Sequence, residues 1–261
     1  MRVLVTGAGS GDGRVTSSLL ATRGHEVIAT ARNTASLEGL QVAGTFRLDV
    51  TDQGSVDEVR RELGFVDALV NNAAISFDGP IERVAIEDVR SMFETNVFGP
   101  VRLMQAFVPA MRERRAGVVV NVSSVAGRVP QPLDGYYSAT KHALEAISEA
   151  LYVELAHFGV RVVIVEPGFI SPSMKEQTSI ADIGVYSELG AQLGEIASKV
   201  QNAARPGPDL VATAIAEAIE IDEGPLRRRV GEDANLILSA RSNLEDGEFE
   251  KLMRDVVGLS W

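Results

Sequence analysis

Apolar residues recur along this chain on two different periods. Short runs with little polar interruption have the length and β-branched content of strands buried on both faces: VLV at 3–5, ALV at 68–70, VVVNV at 118–122 and VVIV at 162–165. They predict strands over Arg2–Thr6, Glu26–Ala31, Gly44–Arg47, Ala68–Asn71, Val118–Val122 and Arg161–Glu166. Between these runs the spacing lengthens to that of helices. Val15–Arg23 carries Leu19 and Leu20 on one side, and Ile86–Met92 runs on into Thr95–Arg112. Tyr137–Phe158 sets Ala143, Leu144, Ile147, Leu151 and Leu155 on one stripe. Strand alternating with helix predicts an α/β architecture, a doubly wound parallel sheet covered on both faces.

Past Gly168 the pattern changes. Gly184, Gly190 and Gly194 interrupt residues 171–205, which predicts a mixed segment without a long helix. A helix is expected at Asp209–Ile221, a last strand and turn within PLRRRVGEDA (225–234), and a further helix in the tail to Trp261. No repeat or low-complexity linker divides the chain. Residues 1–261 are therefore read as a single domain, with 171–205 as a substrate-covering lid and 225–261 as a C-terminal strand and helix.

Composition narrows the functional classes. A chain of 261 residues buries roughly 70–75% of the surface that it exposes when unfolded. Its net charge of −11 argues against nucleic acid and anionic membranes as partners, but not against an anionic ligand in a local positive site. With no cysteine there is no disulfide, no thiolate nucleophile and no Cys-ligated metal. His25, His142 and His157 are scattered, and no metal is expected. No run approaches the ~20 apolar residues of a membrane span. MRVLVTGAG reaches a glycine turn too soon for a signal peptide, so a cytoplasmic protein is expected.

The first chemistry lies in TGAGSGDG, residues 6–13. It follows a predicted strand and opens a predicted helix, the context in which glycines cradle a pyrophosphate on a helix N-terminus. Gly7, Gly11 and Gly13 give G-x-x-x-G-x-G; the G-x-G-x-x-G pattern fails because Asp12 fills its last position. Asp12 admits two readings. It caps the first helical turn with its side chain away from phosphate, or it repels the cofactor and weakens binding. The second strand ends at Ala31 and Arg32, with no acid there for a ribose 2′-hydroxyl, so Arg32 favours NADP(H) over NAD(H).

The second lies in YYSATK, residues 136–141. Tyr137 and Lys141 are four apart and share a helix face, whereas Tyr136 points about 140° from Lys141. A nearby ammonium stabilises phenolate and lowers the pKa of a tyrosine, which then exchanges protons near neutrality.

TGAGSGDG (6–13), LDVTD (48–52), NNAA (71–74), ETN (94–96), NVSS (121–124), YSATK (137–141) and EPG (166–168) together resemble, in order, the motifs of the short-chain dehydrogenase/reductase family. The resemblance implies a Rossmann fold, an NAD(P)(H) cofactor, and hydride transfer between nicotinamide and a carbonyl or alcohol carbon. It implies Tyr137 as general acid/base, Lys141 as its activator and nicotinamide-ribose ligand, Ser124 as the donor to the substrate oxygen, and Asn96 as the holder of a relay water. Ser123 is read as structural. Gly7, Ser10, Gly11, Asp12 and Gly13 would line the phosphates. Asp49 and Val50 would flank the adenine, Asn72 and Ala73 its ribose, and Pro167, Gly168 and Ile170 the nicotinamide.

The sequence departs from that family pattern in places. Asp12 replaces an apolar residue that borders the nicotinamide half, and Ala74 replaces Gly. Pro172 stands where Thr is usual, with Ser171 or Ser173 as substitutes, and Ser10 is neutral where some NADP-preferring members are basic. YSATKHALEAISEALYVELAHFGVRVVIVEPGF is most similar to the 17β-hydroxysteroid and retinol dehydrogenase branch. That implies a mostly apolar ketone or secondary alcohol, lined by Met174, Ile180, Ile183, Val185, Tyr186 and Leu189. It also implies a homodimer or homotetramer joined through helices around 95–113 and 138–158. Two functions follow: an NADP(H)-dependent ketoreductase or alcohol dehydrogenase, or a non-catalytic NAD(P)(H)-binding regulator in which Asp12 compromises hydride transfer.

Overall fold

A computed structural model describes residues 1–170, 183–202 and 207–257. In the first half strands and helices alternate except between β2 and β3, which a 3-10 turn joins: β1 (Arg2–Val5), α1 (Gly11–Thr22), β2 (Glu26–Ala31), β3 (Gly44–Arg47), α2 (Gln53–Leu63), β4 (Ala68–Asn71) and α3 (Ile86–Phe93). A π-helical turn, Glu94–Phe98, joins α3 to α4 (Gly99–Arg114). Then come β5 (Gly117–Val122), α5 (Gly135–Ala156), β6 (Val160–Pro167), α6 (Ser187–Asn202), α7 (Pro208–Glu220), β7 (Arg227–Val230), α8 (Glu232–Asn243) and α9 (Asp246–Val257). The strands form one seven-stranded parallel sheet in the order β3-β2-β1-β4-β5-β6-β7.

The uninterrupted apolar runs are the strands in the middle of this sheet. Val3–Val5, Ala68–Val70 and Val118–Val120 are fully buried because helices cover both faces. On one face Leu20 of α1 and Val211, Ile215 and Ile219 of α7 pack on Val3 and Val5 of β1 and Ala68 and Val70 of β4. On the other, Val56 and Val59 of α2, Leu103 and Phe107 of α4 and Leu155 of α5 pack on Leu4, Leu69 and Val119.

Three elements differ from expectation. Helix α2 was not anticipated, although its ends are encoded: the Asp52 carboxylate accepts the Gly54 N–H at 2.9 Å, and Gly64 ends the helix at φ 70°. Helix α6 runs through Gly190 and Gly194, where the glycines were expected to break it. Two such residues cost only about 2 kcal/mol together against Ala. Ile183, folded back over Gly190, shows that packing at a bare backbone position offsets part of that. The tail forms two helices, α8 and α9, because Leu244 leaves the helical conformation between them.

Candidate active site

Chain order reverses between β1 and β4, so the connections leave that point in opposite directions and open a crevice beyond the carboxyl ends of the strands. The loops after β1, β4, β5 and β6 carry TGAGSGDG, NNAA, NVSS and EPGFI to this one edge.

The glycine loop needs its glycines. Gly7 and Gly11 stand at φ 67° and 53°, in the left-handed region. A Cβ on Gly13 would lie 2.5 Å from both Asn72 Nδ2 and the Gly7 carbonyl oxygen, so Gly13 lets α1 close on the loop. The Thr6 hydroxyl accepts the N–H groups of Asn72 and Ala73, each at 3.0 Å, and Asn72 Nδ2 donates to the Thr6 carbonyl at 2.9 Å. Asn72 thus braces the loop with its side chain. Ser10 is the N-cap of α1 but makes no side-chain cap bond, which leaves the orphan amides of the first turn available to an anion.

A cleft of about 470 Å³ opens here, lined by Gly7, Ser10, Gly11, Asp12, Arg32, Asp49, Val50, Asn72 and Ala73. These are the expected phosphate, ribose and adenine residues. A Cβ at Gly11 would meet nothing within 4 Å, so the backbone faces open space. The cleft fits an extended dinucleotide. At its far end burial would raise the pKa of Asp49, but hydrogen bonds from Thr51 Oγ1 (2.8 Å) and Thr51 N (3.0 Å), with the charges of Arg32 and Arg47, hold it below the usual carboxylate range.

At the other end stand Ser124, Tyr137 and Lys141. The Ser124 hydroxyl stands beside the Tyr137 hydroxyl, and its Oγ accepts the Ala126 N–H at 3.1 Å. Lys141 Nζ donates to the Val122 carbonyl at 2.8 Å and lies 5.5 Å from the Tyr137 ring centre. Asn96, in the π turn, is fully buried. Its Oδ1 accepts the Ile75 N–H at 2.9 Å, and its Nδ2 donates to Ile75 O (2.8 Å) and Thr140 Oγ1 (3.1 Å). Asn96 therefore pins the turn of α5 between Tyr137 and Lys141. Ser123 is buried, as a structural residue should be.

The electrostatics correct one expectation. Tyr137 is pushed above its ordinary range, first by burial, then by the charges of Asp134, Asp12 and Asp78, against the hydrogen bond with Ser124. The Lys141 ammonium is spent on a carbonyl, and carboxylates dominate the surroundings of the phenol. Lys141 itself is lowered to about 8 by burial, opposed by Glu145 and Asp12. Asp134 is raised to about 7 by burial and by Asp78. Asp12 is raised to about 6 by burial, with Lys141 pulling the other way. Asp12 stands in the first turn of α1, where a carboxylate favours the helix dipole.

Pro167, Gly168 and Ile170 close this end. Asp233, on α8, accepts the Phe169 N–H at 2.6 Å, and a Cβ on Gly168 would lie 2.3 Å from its Oδ2. Behind Lys141 a buried ionic group ties α5, β6 and β7 together. Arg227 Nε donates to Glu145 at 3.0 Å, lies 3.4 Å from Glu166 Oε1 and also pairs with Glu149. Sequence reasoning assigned nothing to Thr6, Thr140, Glu145 or Asp233. Only Asp233 carried a local signal, a carboxylate in the first helical turn just past a glycine. Of the expected lining, Ile183 packs on Gly190, Tyr186 hydrogen-bonds with Glu82, and Leu189 is half-buried. Val185 is 84% exposed and does not face the cleft. Ser171, Pro172, Ser173, Met174 and Ile180 lie outside the described residues.

Comparison with known proteins agrees with this arrangement. Residues 1–182 match the short chain dehydrogenase family. A 3-ketodihydrosphingosine reductase of Bacteroides thetaiotaomicron is 30% identical over 260 residues, covering 97% of this chain and 96% of that one. A short-chain dehydrogenase from Streptomyces avermitilis superposes with TM-score 0.81 at 38% identity, over 97% of each chain. Relatives solved with either cofactor are also similar. A Burkholderia cenocepacia short chain dehydrogenase in complex with NADP has TM-score 0.80 at 25% identity over 96% of each chain. A Burkholderia phymatum enzyme in complex with NAD has TM-score 0.76 at 25% identity, over 97% of this chain and 94% of that one.

Proposed function

The chain belongs to the short-chain dehydrogenase family of oxidoreductases, and from that premise we propose that it uses NADP(H) to interconvert a mostly apolar ketone and its secondary alcohol. The observation that carries the proposal is the placing of Ser124 beside Tyr137, with Lys141 one turn further on, within reach of the charge of Asp12 in the glycine-loop cleft.

The bound nicotinamide supplies the hydride for reduction and takes it back for oxidation. The remaining work falls to this chain. Charge grows on the carbonyl oxygen as hydride reaches its carbon, and the Ser124 and Tyr137 hydroxyls are neutral donors placed to meet it. Tyr137 gives its proton to that oxygen in reduction and takes it in oxidation. Asn96 fixes the turn of α5 that sets Tyr137 against Lys141, and a water it holds would return the proton. Gly7, Ser10, Gly11 and Gly13 offer backbone amides to the pyrophosphate, and Asp233 keeps Gly168–Ile170 against the nicotinamide side. Arg32, exposed at the end of β2, supports the choice of NADP(H) through its charge. The name of the Bacteroides relative, a ketone reductase, supports the substrate class. Exposed Phe98 and Tyr152, and Val153 at 72% exposure, support association of two or four copies through α4 and α5.

The test is a titration with NADPH and NADH by nicotinamide fluorescence, followed by turnover on a panel of ketones and alcohols. Tight NADPH binding, weaker NADH binding and turnover are expected. Tyr137→Phe should keep the affinity and lose turnover by at least about a hundredfold. Binding by the wild type with no turnover would leave the regulator and remove the enzyme.

A further inference from the structure

We infer that Asp12 makes the cleft discriminate between the two redox states of the nicotinamide, holding the oxidised, cationic ring in preference to the reduced, neutral one. The inference rests on the cofactor reading above and goes beyond it, because it assigns a task to one side chain.

Asp12 lies on the first turn of α1 and lines the cleft. Among the described residues its carboxylate has no hydrogen bond and no ion pair. Its field nevertheless reaches Lys141 and Tyr137 on α5, across the cleft. The reacting carbon must hold its oxygen against Tyr137, so the ring that exchanges hydride with it stands beside Tyr137. Asp12, which lines the cleft, is near enough to that ring position for its charge to act on Tyr137 and Lys141. Among the described residues Lys141 is the one positive group acting on Asp12, while Asp134 and Asp78 add further negative charge around Tyr137. The region accommodates one more positive charge favourably.

NADP⁺ and NADPH share their phosphates, riboses and adenine and differ at the ring. Any repulsion between Asp12 and the pyrophosphate weakens both forms alike and cancels in the ratio of their affinities. What survives in the ratio is the attraction of the carboxylate for the ring cation. At partly buried separations of several ångströms this is worth about a tenfold preference. The bound couple then shifts by about 30 mV toward the oxidised form, which favours reduction of the ketone on the enzyme.

The experiment is calorimetric titration of NADP⁺ and of NADPH at pH 7 into wild type, Asp12→Asn, Asp12→Ile and Asp12→Glu, each checked by thermal melting. The Asn and Ile variants should each lose about tenfold of the NADP⁺ preference relative to NADPH, and the Glu variant should retain it. Either neutral variant suffices if the other does not fold. Both affinities moving together, with the ratio unchanged, would overturn the role of Asp12 and leave the cofactor reading standing. Failure of wild type to bind any nicotinamide nucleotide would overturn the cofactor reading, and this inference with it.

Discussion

Replacing Glu166 with Gln should stabilise the protein above pH 7 and change nothing at pH 4.5. Glu166 sits near the end of β6 with 0% of its surface exposed, and neither carboxylate oxygen has a hydrogen-bond donor. Burial, and then the neighbouring Glu145, raise its pKa from 4.5 to about 7, against the charges of Arg227, Arg128 and Arg229. At 1.36 kcal/mol per pH unit that rise is worth roughly 3 kcal/mol. The sign follows from the protons. Between about pH 4.5 and 7 the native state holds a proton that the unfolded chain has released. Native stability therefore falls as pH climbs through this window, and the full cost is present above it. Gln removes the charge and keeps the shape, while Arg227 retains Glu145 and Glu149 as partners. The expected gain at pH 8 is up to about 3 kcal/mol, or roughly 6–12 °C in Tm for a chain of this size. Melting curves of both proteins from pH 4.5 to 8.5 read it directly. A gain of the same size at every pH, or a less stable variant at pH 8, would refute the argument.

Gly13→Ala should abolish cofactor binding, because its methyl would press to 2.5 Å on both Asn72 Nδ2 and the Gly7 carbonyl. A melt showing about 1–3 kcal/mol of overpacking cost and a flat nucleotide titration would bear this out. Asp233→Ala removes the acceptor of the Phe169 N–H and frees the strip beside the nicotinamide. Cofactor affinity should fall about tenfold, the scale of a hydrogen bond to a charged group, and an unchanged Kd would exclude a positioning role. Arg32→Ala should weaken NADPH by at least tenfold and leave NADH nearly unchanged, which parallel titrations would show.

Much of the sheet was legible because central parallel strands are buried on both faces and so read as unbroken apolar runs. Glu26–Ala31, Gly44–Arg47 and Ala68–Asn71 fall where the pattern puts them. Helix α2 escaped because only Val56, Val59 and Leu63 mark its inner face amid charged residues, although Asp52 and Gly64 bracket it. The glycine loop and the Tyr137–Lys141 pair were legible from local spacing, and Ser124 from the likeness of NVSS to the family motif. Thr6, Glu145 and Asp233 were not, since each acts on a residue distant in sequence: Thr6 on Asn72 and Ala73, Glu145 on Arg227, Asp233 on Phe169. The raised Tyr137 pKa was illegible for the same reason. Its shift is set first by burial and then by the charges of Asp134, Asp12 and Asp78, which only the fold assembles.

The π turn at Glu94–Phe98 has a consequence for how this chain tolerates change in length. Such a turn holds one residue more than the α-helix it interrupts. Deleting a single residue there would run α3 into α4 at the α-helical period, with Pro100, which has no N–H to donate, just past the join. The same deletion would rotate everything on one side of it by about 100°. Asn96 would then swing away from Ile75 and Thr140, and the α5 turn that carries Tyr137 and Lys141 would lose its anchor. A helix shorter by one residue is thus incompatible with a working site. Substitutions in this stretch are graded in their effect, but loss of one residue is all-or-none.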